Sequence, residues 1–512
     1  MGNKVDAIVV GAGLGGLTAA LTMARKGLRV LVLERNGVPG GCATSFVRGR
    51  YEFEVSLHQL SGVGLADRPG RLYPFLEELG VMDEVEFIRT PAIFRSVFPD
   101  LDITLPAGWE PFTETLCDAF PDSADGIRRF MSLLFTMGAE VEYFYPLMTS
   151  PSLPPPGRVF PLPFKTPNMM RYAMLTWGQV LDRHVDDERV RAVLSQLWSY
   201  LGLPPSRISF TFLASAMASY IDQGPLYVRG RSQALSNGLV RLLERAGGEI
   251  RLNQGVREIR VADGKVVGVV TDAGEEIPAA TVVSNVDPVT TCRELMDPEL
   301  VPNLFWHRLR SNVVGPATMN LYLGLAKTGE ELGLADHEVF VNEGYDVEER
   351  WQRMKTIGAP AETTVTHFNA VSPDISPPGT AMVVVTSLMY GEPWFEVAPQ
   401  DYVATKQRMA DQMLRLAERV APDLRDAIEV IEIATPLTNM RYIGQLGGAV
   451  YGFEQTPGES TLFRLGHRGP LGGLYFAGAF TQPGGGFEPA MLSGCAAGAK
   501  AVHRAAAAKA EA

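Results

Sequence analysis

Three groups of residues in this sequence have types and spacings suited to chemistry. The first is Gly11-Ala-Gly13-Leu-Gly-Gly16, with Glu34 about twenty residues on. Gly11 permits a tight turn, Gly13 lets backbone approach a pyrophosphate, and Gly16 lets a helix sit close on a strand. Helix N-terminal N–H groups would face the phosphates, and the Glu34 carboxylate a ribose hydroxyl. The second group follows at once: Arg35, then Gly40-Gly41, paired glycines of the kind that bring backbone against a ligand. The third lies near the other end, Gly478-Ala-Phe-Thr-Gln-Pro483-Gly484-Gly485-Gly486-Phe-Glu488. The first unit alone does not choose between NAD and FAD. Two glycine-opened helices, one towards each end of the chain, fit one flavin dinucleotide gripped at its diphosphate and at its ring, where the second helix dipole would steady negative charge.

The groups that could move a proton beside such a ring are Glu488 and His58. A carboxyl in an apolar cavity would have a raised pKa and could act as acid or base. No Ser/His/Asp triad motif, Cys/His cluster or HxxxH spacing is present, so no metal is expected.

The elements that must position these residues are legible by pattern. An apolar run over residues 6–10, a helical pattern over 17–26 closed by Gly27, and a second apolar run over 29–33 make strand, helix, strand. Residues 51–58 alternate like a strand, with Phe53, Val55 and Leu57 on one face and His58 at its end. Helical patterns dominate residues 60–226, punctuated by Pro151 to Gly157. The Met- and aromatic-rich stretch 159–177, with Lys165 and Arg171 and no acid, suits contact with lipid or a greasy substrate entrance, and equally a helix packed on the domain core. A strand meander turns at Asp263-Gly264. Sheet-like alternation over 316–325, 363–370 and 381–388, with an amphipathic helix over 401–420, reads as a second domain whose sheet floors a substrate cavity. Its candidate lining is Met319, Leu321, Leu323, His367 and Trp394, each of which taken singly reads first as simple core.

The fold class is therefore α/β: a two-dinucleotide-binding-type FAD domain with an inserted α+β substrate domain. The expected divisions are 1–105, 227–298 and 441–512 for the FAD-binding domain, 106–226 for a helical cap and 299–440 for the substrate sheet. A net charge of −12 with no basic run excludes nucleic acid as a natural partner. Four cysteines without short pairing suggest reduced thiols in a cytoplasmic protein, and neither a leader nor a membrane-spanning run is expected.

The glycine fingerprint, Glu34, the Gly40-Gly41 pair, the Tyr-x-Phe-acid-x-x-x-His stretch ending at His58, and the Gly478 to Gly485 motif together resemble the phytoene desaturase, carotenoid isomerase and retinol saturase family. Nearly the entire chain takes part. Glu54 stands where the family often has Asp. Ala479 stands where many proteins of the wider fold have an acid, and Glu488 where the family usually has an apolar residue. The resemblance implies an amine oxidase/phytoene desaturase-like architecture, FAD along the Gly40-Gly41 loop, and Val256 meeting the adenine with its backbone. It further implies a membrane-contacting cap, an apolar tunnel, and desaturation, saturation or cis-trans isomerisation of a polyene or prenyl-type lipid. Other readings of the same architecture are a flavin amine oxidase and a flavin-free prenyl-lipid binder like the Rab GDP-dissociation inhibitors.

Overall fold

In the computed structural model, residues 5–149, 157 and 160–511 are described. The expected punctuation at 151–156 lies outside them.

The run Ala7–Val10 is fully apolar because it is a central strand covered on both faces. It lies in a five-stranded parallel sheet of order Glu249–Arg251, Val30–Leu33, Ala7–Val10, Val282–Ser284, Leu474–Phe476. Strands distant in sequence are thus neighbours, and residues 474–476 close the sheet begun at residue 7. The helix Leu14–Arg25 covers this sheet and packs against Arg231–Arg245 and Phe487–Glu511. The last contact is close because it uses Gly494. A methyl there would lie 1.9 Å from Thr18 Oγ1, and the Thr18 hydroxyl donates to the Met491 carbonyl at 3.1 Å. A meander, Val256–Ala262, Lys265–Thr271 and Glu276–Pro278, hangs from the sheet. It turns at Asp263 and Gly264, both at positive φ, as the hairpin pattern predicts.

The second sheet has seven strands, in the order Ile428–Ala434, Ala317–Leu325, Ala381–Met389, Glu362–His367, Glu338–Asn342, Phe94–Val97, Asp102–Leu105. The last two correct the expected division at residue 105. Phe94, Ile103 and Leu105 belong to the seven-stranded sheet and share a core with Phe340 and the helical layer. That layer includes Trp109–Ala119, Ala124–Thr149 and Phe210–Gln223.

A second difference concerns residues 51–58. The strand stops at Glu54, whose buried carboxylate accepts the backbone N–H groups of Ser56 and Leu57 at 3.3 and 3.2 Å. A side chain that competes for the following amides ends the ladder and makes a turn. His58 therefore emerges from a turn rather than a strand.

Candidate functional site

One cavity of about 490 Å³ runs between the five-stranded and the seven-stranded sheet. Val256 and Asp272 border one part of it, both glycine segments its middle, and Thr318, Asn320, Thr364 and Thr386 the floor on the second sheet. The two ends of the chain meet at its waist. A methyl added to Gly15 would lie 2.7 Å from the Gly478 nitrogen and 2.6 Å from Asn285 Oδ1, and one on Gly13 would lie 2.5 Å from Asn285 Nδ2. Asn285 thus braces the opening and closing glycine segments together.

These residues fit a dinucleotide. Gly11 sits at φ +91° and Gly40 at φ +122°, conformations that side-chain-bearing residues avoid. The Gly40 N–H donates to the Ala12 carbonyl at 2.8 Å, which lays the Gly40-Gly41 loop against Gly13. Glu34 is buried, and each of its oxygens accepts one backbone N–H, Ala12 at 2.7 Å and Asn36 at 2.8 Å. A carboxylate has about four lone-pair positions, so Glu34 keeps capacity for ribose hydroxyls. The N-terminus of Leu14–Arg25 has no side-chain cap and opens on the cavity, as phosphate binding requires. Gly11, Gly13, Glu34, Arg35, Gly40, Gly41, Val256, Gly478 and Gly485 all line the cavity. Gly16 does not, and has the packing role expected of it: a methyl there would lie 2.1 Å from the Gly11 carbonyl oxygen. Gly484 departs from expectation. It is turned away against Gln455 and Phe212, leaving Gly485 and Gly486 to open the last helix. The Arg35 guanidinium reaches the carbonyls of Arg441 and Tyr442, both at 3.4 Å, in the last turn of the helix Pro436–Ile443, where a cation is favoured.

The wall around Gly478 is fixed by a fully buried arginine. Arg464 donates to the carbonyls of Thr481 and Phe453 at 3.1 Å, and to those of Glu454, Tyr451 and Ala479. Burial, only partly offset by Glu459, pushes its pKa down to about 9.

The substrate side corrects several expectations. Met319, Leu321 and Leu323 are fully buried against Met409, Met413 and Leu414 of the helix Tyr402–Ala417 and do not reach the cavity. Their alternating neighbours Thr318 and Asn320 line it instead. The expected alternation is present, but the cavity takes the opposite face, because the apolar row is the one the helix covers. Trp394 packs on Met389 and Tyr402 behind the sheet. His367 is buried near Gly329 at the strand end, where burial drives its pKa down to about 4, and it too lies off the cavity.

The expected apolar tunnel is in fact a chamber of mixed lining. Leu197, Phe212, Leu388 and Val450 alternate with Tyr200, Tyr220, Tyr451 and ionisable groups held in pairs. Glu488 lines it but is not a free acid. One oxygen is bound by Arg71, the other accepts from Ser61 Oγ at 2.5 Å, and the carboxyl rests on Gly62. Burial works against charge on Arg71, but Glu488 and Glu142 outweigh it and raise its pKa. Glu362 is held by Arg350, Gln196 and Ser199.

His58 lines the chamber with its ring mostly buried. Its Nδ1 lies 3.0 Å from Glu338 Oε1 and 2.8 Å from Thr366 Oγ1. Glu338 is fully buried and also accepts from Tyr200 Oη at 2.5 Å and Thr366 Oγ1 at 2.7 Å. Burial alone would raise its carboxyl pKa, but His58, His337 and Tyr200 together hold it below the usual value. Arg71, Glu338 and Tyr200 are site residues that the sequence does not reveal. Their partners lie up to hundreds of residues away, and no local pattern marks them. Among the described residues no group of three or more His, Cys, Asp or Glu could hold a metal ion, and the four cysteines are free.

Residues 14–502 match the model of the flavin containing amine oxidoreductases. The chain is 26% identical over 511 residues to prolycopene isomerase 1, chloroplastic, of an Oncidium hybrid cultivar, covering 96% of this chain and 83% of that one. It is 25% identical over 484 residues to the all-trans-retinol 13,14-reductase of Danio rerio, covering 88% and 78%. Wild-type putrescine oxidase, solved with putrescine bound, superposes with a TM-score of 0.61 at 17% identity over 99% of both chains. With the glycine segments joined across one dinucleotide-shaped cavity, the chain belongs to the flavin containing amine oxidoreductase family, with FAD as its cofactor and its sequence lying with the phytoene desaturase, carotenoid isomerase and retinol saturase proteins.

Proposed function

We propose that this protein is an FAD-dependent oxidoreductase or isomerase acting on a C–C or C=C bond of a polyene or prenyl-type lipid. The observation that carries the reading is the continuity of the cavity: the dinucleotide cradle opens directly onto a chamber floored by the second sheet. The prolycopene isomerase and retinol reductase relatives support a polyene as the substrate class. When bound, FAD supplies hydride acceptance or donation. The residues of the chain do the rest. Phe212, Leu388 and Leu197 give an apolar bed for a hydrocarbon body and exclude water. Paired ions keep the remaining polar lining from presenting a lone charge to it. His58 faces the chamber as the group able to exchange a proton.

Anaerobic mixing of the yellow protein with all-trans-retinol, lycopene isomers and phytoene should change the flavin spectrum, or the isomer composition by chromatography, with at least one of them. Peroxide formation with putrescine or a simple primary amine, and no response to any polyene, would instead make it an amine oxidase. An apoprotein that takes up no FAD on titration would make it a lipid carrier.

Membrane contact belongs to the same reading. Phe160, Phe164, Met170 and Met174 are 80%, 79%, 59% and 60% exposed, with Lys165 and Arg171 among them. Apolar side chains beside cations suit an anionic bilayer surface. Among the described residues no helix is long and apolar enough to cross a membrane. The protein should float with phosphatidylserine-containing vesicles, and Phe160→Ser with Phe164→Ser should weaken partitioning about tenfold or more. Recovery of the unaltered protein only in the vesicle-free fraction rules this surface out.

A further inference from the structure

We infer that Glu338 is a positioning residue that fixes the hydrogen of His58 on Nδ1 and so makes Nε2 the atom that exchanges a proton with substrate.

The argument is one of donors and acceptors. The Glu338 carboxylate only accepts. The single Thr366 hydroxyl hydrogen goes to Glu338 Oε2 at 2.7 Å, so towards His58 Nδ1, 2.8 Å away, Thr366 Oγ1 presents a lone pair. Glu338 Oε1, at 3.0 Å, presents another. Nδ1 therefore faces two acceptors and must carry the hydrogen. Nε2 is left with a weak neighbour, Thr386 Oγ1 at 3.5 Å, on the chamber floor. Tyr200 donates the remaining hydrogen bond to Glu338 and packs edge-on to the imidazole at 6.3 Å. The carboxylate thus accepts from three donors, His58, Tyr200 and Thr366, which lie in three different parts of the chain. Its arrangement is tighter than strand pairing alone requires.

A carboxylate behind an imidazole does two things. It selects the ring tautomer, and it stabilises the imidazolium when Nε2 gains a proton. Both serve redox chemistry at a C–C bond, and here the inference rests on the function proposed above. Removing two hydrogens from a saturated bond yields one hydride, for which FAD is the acceptor, and one proton. His58 Nε2 takes that proton as its C–H bond breaks and the released electron pair becomes the new π bond. In the saturating direction His58 returns the proton to one carbon while the other receives the hydride from the reduced cofactor.

Other ionisable groups around His58 are accounted for. The ring nitrogens of His337 lie 3.0 and 2.7 Å from the carbonyls of His367 and His58; the neutral ring donates to one of them and the imidazolium to both, so His337 is tied to backbone and not to the chamber. Glu362 and Glu488 are engaged by Arg350 and Arg71. Burial raises the pKa of Tyr200, Tyr220 and Tyr451 above that of free tyrosine, so they remain neutral.

The test uses the FAD-loaded protein with ¹⁵N-labelled histidine, His58 being assigned by its loss in His58→Gln. Neutral His58 should show the Nδ1–H tautomer in the wild type and lose it in Glu338→Gln, whose amide can donate to Nδ1. Bound FAD should be unchanged. Turnover of whichever polyene responds should fall about 100-fold or more in Glu338→Gln, with the pH profile of kcat displaced. Tyr200→Phe should cost far less. Should Glu338→Gln fail to fold, the wild-type tautomer and Thr366→Val still decide. A wild-type Nε2–H tautomer, or wild-type turnover and pH profile in Glu338→Gln, overturns the inference. The tautomer is read without substrate, so absence of polyene turnover would count against the proposed function and leave this result standing.

Discussion

Gly15→Val yields a colourless protein. Residue 15 lies in the first turn of the helix Leu14–Arg25 and on the cavity wall. Its added Cβ would meet the Gly478 backbone nitrogen at 2.7 Å and Cα at 2.9 Å, and Asn285 Oδ1 at 2.6 Å. Two of these are main-chain atoms and cannot rotate away. Relief requires moving the helix off the C-terminal glycine turn, which opens the waist of the cavity where diphosphate N–H groups must converge. Overpacking of this kind costs about 1–3 kcal/mol. Misplacing the N–H groups adds a loss of FAD affinity of roughly 100-fold or more, about 2.7 kcal/mol. Absorbance after gel filtration and FAD titration of the apoprotein measure it. Gly344→Ala, with no atom within 4 Å of the new methyl, is the control and should stay yellow. Retention of flavin by Gly15→Val would show that the two glycine segments do not hold one cofactor between them.

Removing either half of the Arg71–Glu488 pair should destabilise the protein by about 3–5 kcal/mol, whereas removing both should cost much less. Their side chains are only 12% and 2% exposed. Glu488→Ala leaves the guanidinium with Ser215 Oγ, at 2.5 Å, the face of Tyr145, at 5.6 Å, and the weaker field of Glu142. Arg71→Met leaves the carboxylate with Ser61. In Arg71→Met/Glu488→Ala no buried charge is stranded. Urea unfolding of the four proteins, at fixed FAD concentration, gives the cycle. A Glu488→Ala midpoint equal to wild type would mean that the pair contributes nothing to the fold. Glu488→Gln, which keeps shape and one hydrogen bond, should fall between the extremes while retaining FAD.

The parts of this molecule that were legible in sequence are those whose meaning is local. Gly11 to Glu34 encodes strand, turn, helix and acid within one continuous unit, and each residue's requirement is met by its near neighbours. Period-two alternation in 316–325 is equally local. It says that Met319 and Leu321 share one side and Thr318 and Asn320 the other. Which side meets the cavity depends on where residues 402–417 pack, and the expected apolar chamber led to the wrong choice. The polar partners were illegible for the same reason. His58 meets Glu338 across 280 residues, and Arg71 meets Glu488 across 417. The end of the strand at Glu54 also escaped, because a buried carboxylate capturing Ser56 and Leu57 amides leaves the alternation of Phe53, Val55 and Leu57 intact.

The packing of Phe487–Glu511 on Leu14–Arg25 has a bearing on biosynthesis. The ribosome delivers the phosphate cradle before its opposite wall, so the nascent polypeptide carries an unfinished cradle until Gly478 to Gly486 have emerged. The central strand Ala7–Val10 must wait for Val282–Ser284 on its open flank, and that strand for Leu474–Phe476. Such late closure of distant segments slows assembly and lengthens the exposure of apolar edges. A cradle walled on one side by Gly478 and Gly485 is complete only once those residues have docked, so firm flavin capture is expected to follow their synthesis.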